Sequence, residues 1–137
     1  MKKFSLKLLS IVCAFVLLIA VVSCNKTEAS TGLWENATYK SSTEVGNGSK
    51  SIEIEIVIDA DSIVLEINTD KENVGEALFE LGLINDASFF DTLNGIKADW
   101  AKDKAYWGFY LENEMLPYGV SDAKINGGEH YRFVYTK

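Results

Sequence analysis

The residues able to do chemistry are few and scattered. His130 is the single histidine of the 137-residue chain, and no HExxH, CxxC or two-histidine cluster surrounds it. A zinc or iron site needs several such ligands at fixed spacing, so no metal is implied. Ser88 and Ser121 are serines outside any GxSxG frame, and no cysteine stands beside a histidine as a nucleophile would. Carboxylates pair only along a strand, at Glu53 and Glu55, or around a turn, at Glu112 and Glu114. There is no phosphate loop. A chain without a nucleophile and base is expected to be no enzyme and to need no cofactor. What remains are two other chemistries. One is a thiol, Cys24. The other is flat apolar contact from large side chains in the second half of the chain: Phe90, Trp100, Trp107, Leu116 and Tyr118.

Cys24 gains meaning from what precedes it. Lys2, Lys3 and Lys7 give a basic start, Leu8 to Val22 is an apolar run, and Val21-Val22-Ser23-Cys24 closes it. This is the pattern of a secretory signal over 1–23, too short in its apolar part for a membrane span of about 20 residues. The cysteine after a small residue resembles the lipobox of Gram-positive surface lipoproteins. That resemblance implies lipidation at Cys24, a membrane partner reached through the lipid, and residence on the extracellular face of the bacterial cytoplasmic membrane. Cys13 would leave with the signal, so no disulfide could form within the mature chain. The polar, small residues of 24–32 read as a flexible tether, and 33–137 as one domain. The formal net charge is −7, and the three signal lysines would leave the mature chain more acidic still. Such a domain would repel nucleic acid phosphates.

The aromatic residues need strands to hold them. Tyr106-Trp107-Gly108-Phe109-Tyr110-Leu111 alternates Tyr106, Gly108 and Tyr110 against Trp107, Phe109 and Leu111. With both faces apolar it reads as a central strand covered on both sides. Glu112, Asn113 and Glu114 turn the chain toward Met115, Leu116, Pro117 and Tyr118. Upstream, 51–59 places Ile52, Ile54, Ile56 and Ile58 on one face, and 62–69 returns after a turn at Asp59-Ala60-Asp61. A helix is expected over 73–81, with Asn73 as N-cap, Glu76 three residues on, and Gly82 as the left-handed C-terminal residue. Its core face is Val74, Ala77, Leu78 and Leu81. The segment 87–93 reads as a third strand, followed by the turn dipeptide Asn94-Gly95. The last strand is 129–135. The segment 33–39 packs on an edge, 40–50 reads as a loop, and 119–125 is ambiguous. The expected fold class is α+β: a β-grasp-like roll, one helix packed on a mixed sheet of four to five strands.

In that order, Leu93-Asn94-Gly95-Ile96, Ala105-Tyr106-Trp107-Gly108-Phe109, Gly119-Val120-Ser121-Asp122 and the Gly-Gly-Glu before Tyr131 resemble the transcobalamin-like C-terminal domain. Trp34, Ala37 and Tyr39 match the start of lipoproteins of that family. Asn113-Glu114 departs from the Asn-Gly that many members carry, which predicts a longer or distorted hairpin. The resemblance implies a β-domain that caps one side of a corrinoid, opposite a separate helical barrel that this sequence does not contain. Two functions follow as expectations. One is a surface-held module that binds a corrinoid or another small molecule beside a transporter. The other is a protein-interaction or adhesion module that uses its acidic face or a sheet edge.

Overall fold

The computed structural model describes residues 32–137; the expected signal, Cys24 and the tether lie outside the described residues. Eight strands follow in order: β1 Thr43–Gly46, β2 Lys50–Ile58, β3 Asp61–Thr69, β4 Thr92–Leu93, β5 Ile96–Lys97, β6 Tyr106–Leu111, β7 Glu114–Met115 and β8 His130–Thr136. Two α-helical segments are α1 Val74–Glu80 and the single turn α2 Trp100–Asp103. Six strands form one mixed sheet in the order β1-β3-β2-β8-β6-β7, and β4 and β5 pair separately. The architecture is α+β with one principal helix on one face, but the sheet has six strands rather than four or five. Among the described residues no helix is long and apolar enough to cross a membrane.

The β2–β3 hairpin carries the clearest pattern. Ile52, Ile54 and Ile56 stand opposite Ile67, Leu65 and Ile63, and all six are buried. Their alternation fixes the register, because a one-residue slip would turn every isoleucine to water. β8 then inserts parallel to β2, placing Tyr131 beside Ile54 and Phe133 beside Ile56. Helix α1 begins as its sequence dictates. Asn73 is extended, and its side chain accepts from the Glu76 N–H at 2.9 Å. Its end is a Schellman closure: Gly82 takes φ 69°, Gly82 N–H donates to Phe79 O at 3.0 Å and Leu83 N–H to Leu78 O at 2.9 Å. Val74, Ala77 and Leu78 join the isoleucines in the core.

Five readings change. The segment 40–50 is not all loop: β1 adds parallel to β3 at the edge, with Val45 its one buried apolar side chain. A strand with one inward contact leaves no period-2 pattern. The segment 87–93 is mostly loop, with strand only at Thr92–Leu93, because Asn94-Gly95 folds β4 onto β5 instead of into the sheet. Both turn residues have positive φ, 52° and 80°. Trp34 is not at an edge: only 2% exposed, it is part of the core. Finally, β6 is the penultimate strand. Phe109 reaches the core, Trp107 and Leu111 pack against it, and Tyr106 on the other face is exposed. The face shared with the helix is therefore that of Trp107, Phe109 and Leu111. The turn after β6 is a tight two-residue one, Leu111 pairing with Glu114, so Asn113-Glu114 does not lengthen it.

Candidate functional site

A ladder of rings leads from the core to the surface. Tyr131 stacks on Phe109 with centroids 5.4 Å apart, Phe109 on Phe133 at 4.8 Å, and Phe90 meets Phe133 edge-on at 5.7 Å. Phe90 is half-buried at the outer end of this ladder and forms one wall of a groove of about 310 Å³. Ser88 and Phe89 continue that wall, Tyr106 to Phe109 form the floor, and Met115, Leu116, Tyr118, Gly119 and Val120 form the far side.

Local hydrogen bonds hold the wall. Asp86 accepts from the N–H groups of Ser88 at 2.7 Å and Phe89 at 2.9 Å. The Phe89 and then the Ser88 backbone bonds hold its carboxyl below the usual carboxylate range. Asn85 accepts from the N–H groups of Asp91 at 3.2 Å and Thr92 at 3.1 Å, which pins the other end of the loop. Helix α1 presses on the same loop. A Cβ at Gly75 would collide with the carbonyl oxygen of Ala87, so only glycine allows this approach. On the floor, the Trp107 indole N–H donates to Ile96 O at 3.3 Å, and its ring meets Tyr135 edge-on at 5.4 Å.

The groove gathers Phe90, Trp107, Leu116 and Tyr118. Trp100 stands outside its lining. It meets Tyr106 edge-on at 6.2 Å and lies under the Lys104 ammonium at 5.3 Å. The sequence reading missed Phe89, Tyr106 and Met115. Six large hydrophobic side chains are exposed among the described residues; Phe89 and Tyr118 line this groove, Tyr106 and Met115 reach its edge from the opposite sheet face, Trp100 adjoins Tyr106, and Phe79 stands apart. Phe89 is 93% exposed. Such clustering sets this surface apart, since exposed apolar side chains are otherwise scattered.

His130 lies elsewhere, on the uncovered face of the sheet. Its Nε2 is 2.9 Å from Glu55 and its Nδ1 3.3 Å from Glu53, while Arg132 Nε donates to Glu55 at 2.9 Å. No group of three His, Cys, Asp or Glu among the described residues is placed to hold a metal ion.

The fold has a solved counterpart. A crystal structure of a Ruminococcus gnavus ATCC 29149 protein, provisionally described as metal binding, matches 65% of this chain and 98% of its own, with TM-score 0.59 and 21% identity. At that identity the likeness shows the shared fold and nothing finer. Haptocorrin in complex with Cbi aligns with 68% of this chain at 16% identity and TM-score 0.49, too slight a likeness to argue from; the aligned part is 26% of haptocorrin. No family model and no curated protein matches the chain.

Proposed function

We propose that the groove beside β6 docks the flat apolar face of a small molecule, and that a corrinoid is the best candidate. The observation that carries this is the concentration of exposed aromatic and apolar side chains around one groove with an uncharged lining. The corrinoid itself comes from the transcobalamin-like sequence resemblance, which implies a β-grasp-like capping domain, and from nothing in the groove alone. In this reading the protein is a non-catalytic binding module. It is held by lipid on Cys24 at the outer face of the cytoplasmic membrane and passes its ligand to a transporter. Two acyl chains, each methylene adding about 0.8 kcal/mol on burial, would make that anchoring effectively permanent.

An open groove covers one side of its ligand, whereas small-molecule sites bury about 70–90%. Dissociation constants of about micromolar to millimolar, or roughly 4–8 kcal/mol, are therefore expected for this protein alone. Titration with cobinamide and cobalamin, followed by tryptophan fluorescence and calorimetry, tests the ligand. Saturation in that range supports the reading, and no response at millimolar ligand removes the corrinoid. Fractionation tests the anchor: the Cys24→Ala protein should leave the membrane fraction or stall in processing, and wild-type behaviour would refute lipidation.

A further inference from the structure

The outer edge of β6 is half open. β8 pairs with the whole of Tyr106–Leu111, but on the other side β7 pairs only with Tyr110 and Leu111. One further bond runs from Leu116 N–H to Phe109 O at 2.9 Å. In an antiparallel ladder the N–H and C=O of a residue point to one side, and the side alternates along the strand. Phe109 turns its carbonyl toward β7, so Trp107, two residues earlier, turns its N–H and C=O the same way. Had the hairpin run on past Leu116, Tyr118 would have met Trp107. Strand β7 instead ends at Met115, Pro117 follows Leu116, and the vacated lane is the floor of the groove.

Natural edges are usually guarded by lysines, inward charges or a covering segment. Trp107 is the one residue left open here: the Ala105 N–H before it already donates to Asp99 O at 3.4 Å, and no charged residue lines the groove. The exposed charges that flank the lining residues in sequence are mostly acidic, Asp86, Asp103, Glu114 and Asp122, against Lys104, which is turned over the Trp100 ring. We infer that this edge accepts an extended, basic segment of a partner protein by strand addition, with the Trp107 N–H and C=O pairing to the incoming main chain. Charge selects such a partner over a second copy, because two chains of net charge −7 repel one another. The inference goes beyond the corrinoid reading and does not depend on it. A strand in this lane would cover the floor that a corrinoid needs, so the two occupants exclude each other.

The test uses full-length, isotope-labelled protein in detergent and an end-blocked eight-residue peptide alternating lysine and valine. At saturating peptide the Trp107 amide should exchange with solvent about tenfold more slowly. A peptide N-methylated along its pairing edge, which lacks the donors, should give no protection. Met115→Lys puts a cation in the exposed lining and should weaken the peptide about tenfold, with the spectrum of the folded core retained. No protection of Trp107 at millimolar peptide, equal binding of the N-methylated peptide, or equal binding of an alternating glutamate–valine peptide would overturn the inference. Trp107 protected in a peptide-free homodimer would also overturn it, giving the edge to a second copy. Protection by peptide without any cobinamide binding would support it and count against the corrinoid.

Discussion

Two grooves can be compared, one apolar beside β6 and one polar around His130. The polar one is the larger, about 490 Å³ against about 310 Å³. Its lining includes Lys50, Glu53, Glu66, Glu112 and His130. Most of those charges already have partners. His130 bridges Glu53 and Glu55, Lys50 pairs with Glu72 at 3.2 Å, and Ser51 donates to Glu66 at 3.1 Å. The apolar groove is the reverse: Phe89, Met115 and Tyr118 of its lining are exposed, and the Trp107 main chain faces no pairing strand. Size is therefore a poor guide. A surface whose groups satisfy one another needs no ligand, whereas exposed rings and open main-chain groups gain by being covered.

The largest expected effect breaks the apolar side. Phe133 is fully buried and links Phe109 to Phe90. Phe133→Ala should cost about 3–5 kcal/mol in denaturant melts and weaken cobinamide as Phe90 loses its backing. A loss under 1 kcal/mol would show that the ladder does not support the wall. Next comes Gly75→Ala. Helix propensity alone would favour alanine by about 1 kcal/mol. The collision with Ala87 O opposes this, and a net loss of about 1–3 kcal/mol is expected, with the Phe89–Phe90 wall displaced. A stabilised variant would mean that the loop is free to move.

Alkaline pH gives a third, smaller test. Burial, then the charges of Glu129 and Tyr118, push Tyr131 from 10.0 up to about 12, while its hydroxyl donates to Lys124 O at 3.0 Å. The folded state therefore favours the neutral phenol. This contribution is fully present below pH 10 and is lost as pH rises from about 10 to 12. Tyr131→Phe should flatten that part of the stability profile, and an unchanged slope would point to other groups. The smallest effect belongs to the polar groove. Glu53 is exposed, faces Glu66 across the hairpin and pairs with His130 only at the surface. Glu53→Ala should change stability by less than about 0.5 kcal/mol, and a loss above 2 kcal/mol would mean that the polar network supports the sheet.

The sequence revealed much of the fold for physical reasons. The isoleucines of β2 and β3, the caps of α1 and the Asn94-Gly95 turn each carry a local signal. Asn94 shows the limit of such signals. It forms the turn, yet it is also fully buried, accepting from Tyr39 N–H and donating to Tyr39 O, both at 2.8 Å. No spacing rule reports a partner 55 residues away. β1 was missed for want of alternation, and the six-stranded order followed from long-range pairing. In the groove, Trp107, Leu116 and Tyr118 were readable because they share a strand and its hairpin. Phe89 and Phe90 form an aromatic pair on a loop, and which of them turns outward depends on the bonds to Asp86 and Asn85. Met115 and Tyr106 reach the groove from the sheet face opposite Trp107, a placement set by the pairing of β6 with β7 that no local spacing reports.

The most direct measurement is residue-resolved. Cobinamide titrated into isotope-labelled protein should shift the Phe89, Phe90, Trp107, Met115 and Tyr118 amides and the Trp107 indole, along one saturating curve. The signals of Glu53, Glu66 and His130 should stay in place. Saturating shifts around His130 with an unmoved β6 groove would contradict the account, because the polar groove would then be the site.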